Sequence, residues 1–174
     1  AFIAQKNKPI LISAGASELD EVESALSEIR KYNQKQIVLM HCVLEYPTPY
    51  EHANLNKIRQ FQNKYPQLII GYSDHTKPDQ NYNVVKCAYL LGARVIEKHF
   101  TLNKTLVGND HYHAMDPVDV EQIKKELDYC KLICGSGEIC CLESEEKARL
   151  NARRSIVASV DLHVGDIVTE ENIS

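Results

Sequence analysis

Gly71-Tyr72-Ser73-Asp74-His75-Thr76 and, about one βα unit further on, Ile96-Glu97-Lys98-His99-Phe100-Thr101 are the stretches that decide the fold. Each places a histidine at the end of an apolar, strand-like run: Leu68-Ile69-Ile70 before the first, Arg94-Val95-Ile96 before the second. The segment between them, Tyr82 to Leu91, has a helical pattern and stops at Gly92. Strand, helix and strand at this spacing predict two neighbouring parallel strands, with His75 and His99 side by side at their C-terminal ends. In α/β folds that edge is where chemistry is done. Two convergent imidazoles there point to a divalent metal site. The alternative is a pair of unrelated histidines, each hydrogen-bonded in its own loop.

The same alternation extends in both directions. Pro9 to Gly15 reads as a strand ending in a Ser/Gly turn. Ser17 is placed as the N-cap of a helix carrying Val22, Ala25, Leu26 and Ile29, with Asp20 near its positive end. Ile37 to Val43 is the next strand, and Tyr46-Pro47-Thr48-Pro49-Tyr50 must be a loop. Leu55, Ile58 and Phe61 mark a helix closed near Pro66; Leu68 to Tyr72 and Val95 to His99 are further strands. After a polar loop, Thr101 to Met115, Asp116-Pro117 opens a helix whose expected buried stripe is Val120, Ile123, Leu127, Cys130 and Cys134, capped by Gly135. Residues 136–152 are polar and read as a linker. From Arg153 the character changes: a strand over Ser155 to Ser159, a turn at Val164-Gly165-Asp166 and a helix start at Thr169. Four βα units fit either a small doubly wound sheet or half of an eight-stranded barrel, and a half barrel alone exposes two sheet edges.

Composition narrows the function classes. The chain has 174 residues, 44% hydrophobic and 25% charged, with a net charge of −4, so no basic stripe offers itself to nucleic acid. No apolar run approaches the roughly 20 residues of a membrane span, and residues 1–14 lack a signal-peptide layout. Ala1 is not an initiator Met, so an N-terminal part is expected to precede it. Of six cysteines, Cys42 and Cys87 read as buried thiols, none forms a CxxC pair, and Cys140-Cys141 makes a poor zinc or disulfide framework; this usage predicts a reduced, cytoplasmic setting.

Strand alternation puts Ser73 and His75 on one face and Asp74 on the other; it likewise joins Glu97 to His99 and turns Lys98 away. Glu97 would lie beneath His99, suited to hold a ligand, a water or the neighbouring ring. Two histidines leave most metal positions open to water and substrate oxygens, as a carbonyl-polarising site requires. His41 reads as a satisfied core residue, and His52 and His163 as surface residues. The loop Gly108-Asn109-Asp110-His111-Tyr112-His113 is dense in ligand-competent groups, and loops after barrel strands often bind substrate. Lys98 raises a Schiff-base reading, which alternation disfavours by pointing it into the helix layer.

Lys8 to Gly15, His41-Cys42-x-x-x-Tyr46-Pro47-Thr48-Pro49, the two histidine stretches and Gly108-x-Asp110-His111 occur in this order. Together they resemble the C-terminal half of the sialic acid synthase (N-acetylneuraminate synthase) family, and Arg153-Arg154-Ser155 through Asn172 resembles the opening of its antifreeze-like (SAF) domain. The resemblance implies a (β/α)8 TIM barrel, with residues 1–135 its second half, 136–152 a linker and 153–174 a truncated antifreeze-like domain. It implies a homodimer in the full-length form. It implies condensation of phosphoenolpyruvate with an N-acylated mannosamine-type sugar, giving a nonulosonic acid and phosphate. C3 of phosphoenolpyruvate attacks the open-chain aldehyde, water adds at C2, and phosphate leaves. By the same resemblance His75 and His99 hold Mn2+ or Mg2+, Ser13 and Ser73 contact phosphoenolpyruvate, and Tyr46 and Asp110 contact the sugar.

The chain departs from the family at Leu44, where many members have a polar residue, and at Ala114, where a Ser is common. The His111-Tyr112-His113 run is also unusual, and a legionaminic or pseudaminic type of sugar enters as an alternative. Family strands 1 to 4 are absent, so the expectation is that these residues alone do not turn over. The competing readings are a Schiff-base aldolase using Lys98 and a non-catalytic half barrel that binds sugar or assembles with a partner.

Overall fold

Four short apolar runs become strands: β1 (Ile10–Ser13), β2 (Ile37–Cys42), β3 (Ile69–Asp74) and β4 (Val95–Lys98). They pair in parallel in chain order, with helices α1 (Leu19–Arg30), α2 (Asn56–Lys64) and α3 (Asn83–Leu90) in the crossovers. Helix α4 (Pro117–Cys134) comes after β4 and a long loop. This computed structural model describes residues 1–174, which divide into two units, Ala1–Gly135 and Ser136–Ser174. The first unit is a parallel four-stranded half barrel, consistent with half of a TIM barrel.

Every residue of β2 is buried, as expected of an inner parallel strand covered on both faces. One sheet face carries Leu39, Ile70, Tyr72 and Ile96, which pack with Val22, Ile58, Tyr65 and Ala88 of the helix layer. Each fully buried aliphatic side chain there contributes about 2 kcal/mol. The opposite face carries Met40, Gly71 and Val95 in one row and Cys42, Ser73 and Glu97 in the next. Gly71 has no room for a side chain, because a Cβ would lie 2.1 Å from Met40 Sδ.

Several local expectations are corrected. Ser17 is not the N-cap of α1; its hydroxyl donates to Gly15 O at 3.3 Å, while the Glu21 carboxylate reaches back to the Glu18 N–H at 2.8 Å. An acidic group four residues later in the chain thus satisfies the helix start that a hydroxyl was expected to serve. Cys87 is exposed, because α3 turns Val85 and Ala88 inward instead. On α4, Ile123 and Cys130 are buried, whereas Val120 and Cys134 are exposed. The opening of α4 agrees with the sequence: the Asp116 carboxylate accepts from the Val118 and Asp119 N–H groups at 2.9 and 3.0 Å, with Pro117 in the first turn.

In the second unit, the stretch read as a linker carries helix α5 (Glu146–Ala152). The expected strand over 155–159 is reduced to one antiparallel bridge, Ala158 with Ile173, flanked by paired backbone bonds between Val157 and Ser174. Thr169 opens a turn, its N–H donating to Asn172 Oδ1 at 2.8 Å, and not a helix. No helix is long and apolar enough to cross a membrane.

Candidate active site and metal centre

The register of β3 and β4 builds the site. Ser73 stands opposite Glu97 on the inner face, and Asp74 opposite Lys98 on the helix face. One residue beyond each pair come His75 and His99, so the two imidazoles leave equivalent strand ends. Their ring centroids are 5.4 Å apart, edge to face.

The helix-side pair is closed. Lys98 Nζ donates to Asp74 Oδ2 at 2.7 Å and to Thr76 O at 2.5 Å, with side-chain exposures of 2% for Lys98 and 1% for Asp74. Tyr72 Oη and the Thr76 N–H donate to Asp74 Oδ1 at 3.1 and 2.9 Å. Burial next to that carboxylate drives the Tyr72 phenol far above its usual range. Lys98 therefore faces away from His75 and His99, and it is spoken for by two acceptors. The histidine-side pair is open: Ser73 Oγ donates to Glu97 Oε1 at 2.6 Å and lies 3.4 Å from His75 Nε2.

The His75 ring is oriented from behind. Its Nδ1 lies 2.6 Å from Val43 O, and because a carbonyl only accepts, Nδ1 carries the proton. That leaves the Nε2 lone pair free, the arrangement usual for metal-ligating histidines. The β2 loop is tied to the same strand end by the Thr48 N–H, which donates to His75 O at 2.8 Å. Tyr46, on this loop, places its ring 4.2 Å from that of His75 and 5.7 Å from that of His99. Partial burial, with Cys42, Asp110 and Glu97 nearby, raises the Tyr46 phenol above its ordinary value and keeps it a donor.

The loop after β4 returns over the site. The Thr101 N–H donates to Met115 O, and the Met115 N–H to His99 O, both at 2.8 Å. His111 Nδ1 lies 2.7 Å from Thr101 Oγ1. This stapling brings His113 beside His99, with ring centroids 5.2 Å apart. Asp110 lies between them, Oδ2 at 3.7 Å from His99 Nδ1 and Oδ1 at 3.5 Å from His113 Nε2. One donor atom from each of His99, Asp110 and His113 falls within 4.8 Å of the other two, so the three form a candidate metal group. Desolvation, then the neighbouring His99, lowers the His113 pKa and favours the neutral ring.

The donor chemistry fits a divalent cation: two imidazoles, one carboxylate, and a buried His113 Nε2 that has no hydrogen-bond partner. The sequence-expected ligand His99 belongs to this group. His75 lies outside it, adjacent to His99 across the strand ends. Of the other expected contacts, Ser73, Glu97, Tyr46 and Asp110 gather around the imidazoles. Ser13 is exposed at the end of β1, in register with Met40 two strands from β4. His41 is buried in β2 with Nε2 at 2.8 Å from Ala53 O, and His52 pairs at the surface with Glu45 at 2.9 Å. His113 was not singled out from the sequence. The signal available was its place two residues after His111, in a loop already dense with ligand-competent groups.

Residues 1–139 match the NeuB family. The chain is a NeuB-family protein. It is 36% identical to the N,N'-diacetyllegionaminic acid synthase of Campylobacter jejuni over 174 residues, 99% of this chain and 51% of that protein. It is 29% identical to the N-acetylneuraminate-9-phosphate synthase of Mus musculus, covering 95% of this chain and 45% of the mouse protein. Among solved structures, the N-acetylneuraminic acid synthetase of Leptospira borgpetersenii, determined with citrate, superposes with a TM-score of 0.77 at 31% identity, over 88% of this chain and 53% of that one. This NeuB-family chain thus spans about half the length of the relatives it matches.

Proposed function

We propose that this chain carries the metal- and sugar-holding half of a nonulosonic acid synthase site. In this reading phosphoenolpyruvate condenses with an N-acylated mannosamine-type sugar. The observation that supports it most is the convergence of His75, His99, Asp110 and Tyr46 at adjacent strand ends, in a chain whose relatives are named for such syntheses. His99, Asp110 and His113 would hold the cation, with His75 offering Nε2 from the next strand. Bound there, Mn2+ or Mg2+ supplies Lewis-acid polarisation of the sugar carbonyl.

The chain's own residues do the rest. Tyr46 donates its phenolic proton to a sugar oxygen, and Asp110, with its side chain 61% exposed, accepts from a sugar hydroxyl. The Ser73 hydroxyl holds one oxygen of Glu97 in place, leaving the other to orient the water that adds at C2. Ser13 and Ser73 offer hydroxyls to phosphoenolpyruvate. The four strands carry one cation, Lys98, and it is locked behind the sheet. The phosphate would go largely uncompensated, so the 174 residues by themselves release no phosphate from phosphoenolpyruvate.

Residues 153–174 are proposed as the opening of an antifreeze-like domain after a linker over 136–152, on the strength of the stretch from Arg153-Arg154-Ser155 through Asn172. Homodimerisation belongs to the same reading. Six free cysteines fit a reducing, cytoplasmic setting.

Saturation-transfer NMR with Mg2+ present tests the assignment on the chain itself. N-acetylmannosamine and a diacetamido-trideoxy sugar are offered separately, with glucose as control. Binding of an N-acylated sugar, lost in Asp110→Ala and weakened in Tyr46→Phe, supports the reading. Equal signals for glucose, or none for either N-acylated sugar, overturn it. Product formed from phosphoenolpyruvate and sugar by the chain alone would show that the site is already complete.

A further inference from the structure

We propose that His113 is a direct protein ligand, completing with His99 and Asp110 a two-imidazole, one-carboxylate set that selects a transition-series divalent cation over Mg2+. This deepens the reading of the site as a metal centre and rests on it.

Four observations carry the inference. The first is distance. Donors sharing an ion at about 2.1 Å each stand roughly 3 to 4.2 Å apart, and the three donor atoms here already lie within 4.8 Å of one another. The difference from that range is about half an ångström.

The second is the state of His113. Its side chain is 2% exposed, yet Nε2 has no hydrogen-bond partner, the nearest carboxylate oxygen standing off at 3.5 Å. A buried, unpartnered ring nitrogen is costly unless a ligand satisfies it. It is one of three buried side-chain polar atoms left so; the others are the hydroxyls of Tyr65 and Thr76. Only His113 has its orphan atom beside another imidazole and a carboxylate.

The third is preorganisation. The Met115 N–H on His99 O, the Thr101 N–H on Met115 O and the His111–Thr101 contact hold the returning loop against the end of β4. His113 is therefore delivered by the backbone, and Asp110 turns one carboxylate oxygen toward each ring.

The fourth is donor chemistry. Mg2+ favours an octahedron of oxygens and keeps most of its waters. Two imidazoles suit Mn2+, Fe2+, Co2+ or Zn2+ better, and affinity should climb along that series. The set fills three positions and leaves the remainder to His75, water or a sugar oxygen.

Isothermal titration of the chelator-stripped chain with Co2+, Mn2+ and Mg2+, together with the visible spectrum of the Co2+ form, tests this. The expected order is Co2+ tighter than Mn2+, and Mn2+ tighter than Mg2+, with Co2+ favoured over Mg2+ by about a hundredfold or more. His113→Asn should weaken Co2+ by about tenfold or more and shift its visible bands. His163→Asn, at an exposed histidine of the second unit, should change neither. His113→Cys gives a positive signal: a thiolate-to-Co2+ charge-transfer band in the near ultraviolet that the unsubstituted chain lacks. Circular dichroism of the metal-free variants checks folding. Should His113→Asn not fold, Asp110→Asn, at an exposed position, and the cysteine band carry the test. Unchanged affinity and spectrum in His113→Asn, no new band in a folded His113→Cys, or Mg2+ bound as tightly as Co2+ overturns the proposal. If Co2+ binds as expected and no N-acylated sugar does, the ligand set stands and the substrate reading falls.

Discussion

At the scale of single residues, the alternation of one side chain decides between two chemistries. Lys98 and His99 are adjacent, but only the histidine reaches the inner face. Lys98 is enclosed with Asp74 behind the sheet, each almost without solvent. Its role is to hold β4 against β3 at the level where His75 and His99 diverge from their strands. Removing one partner leaves a buried charge alone, so Lys98→Met or Asp74→Leu should each lower unfolding free energy by about 3–5 kcal/mol, while the double variant recovers only part of the loss, since Tyr72 Oη and the Thr76 N–H still lose their acceptor. Urea unfolding measures all three. Borohydride with a keto acid should trap nothing on Lys98. His41 gives a pH-dependent counterpart. Burial holds its pKa below the ordinary value, against the opposing pull of the Ala53 carbonyl. On acidification the unfolded chain takes a proton near pH 6.5 while the folded ring stays neutral, so His41 makes stability fall as pH drops below about 6.5. Above that it contributes no slope. His41→Gln, which can still donate to Ala53 O, should flatten the thermal midpoint between about pH 5 and 6.5.

At the scale of elements, the loop bearing Asp110 and His113 depends on one carboxylate outside the metal group. Asp119, on the first turn of α4, accepts from Tyr82 Oη at 2.9 Å and from the Asp116 N–H at 2.9 Å, and is paired closely with Lys104 of the loop. Burial pushes its pKa up, but Lys104, the Asp116 N–H and Tyr82 together outweigh that and hold it below the usual value. Tyr82 in turn is pushed up to about 12. Asp119→Asn should loosen three segments at once, costing about 2 kcal/mol. Proteolysis at Lys104 should quicken and, if the candidate group holds a cation, metal affinity should fall several-fold, although Asp119 is not one of its three residues. The strands and helices were legible because periods of two and 3.6 are written in side chains: β2 as an unbroken apolar run, α4 through Asp116-Pro117 and Gly135. The pairing of His75 with His99 was legible for the same reason. His113 was not, because its burial comes from the Met115–His99 backbone bond, and a polar loop carries no period from which such a bond can be read. Cys87 and Val120 misled because an apolar residue within a helix pattern does not say which side its neighbours cover; α3 and α4 bury Val85 and Ile123 instead and are joined by the Lys86–Glu126 pair at 3.0 Å.

At the scale of the molecule, the half barrel is asymmetric in what it covers. Its helix face is sealed by the core around Tyr72 and Ile58, while its inner face is half open and its outer strands β1 and β4 each pair on one side only. Leu11, 55% exposed in β1, lies on that inner face, and the Phe2 and Ile3 side chains are exposed near the same edge. Unpaired backbone groups next to apolar side chains are a template for further strand pairing. Under the proposed function, Ser13, Ser73 and Glu97 lie on this same inner face. Sedimentation velocity of the 174-residue chain should show association rising between about 1 and 100 μM, since an exposed sheet edge pairs by mass action. Leu11→Lys, an inward-pointing charge on the edge strand, should shift the distribution toward monomer without lowering metal affinity, because β1 contributes nothing to the His99–Asp110–His113 group. A chain that stays monomeric throughout that range would mean that its open edge is shielded in solution. An equal shift of metal affinity on Leu11→Lys would mean that the cation is held at the association surface and not within one half barrel.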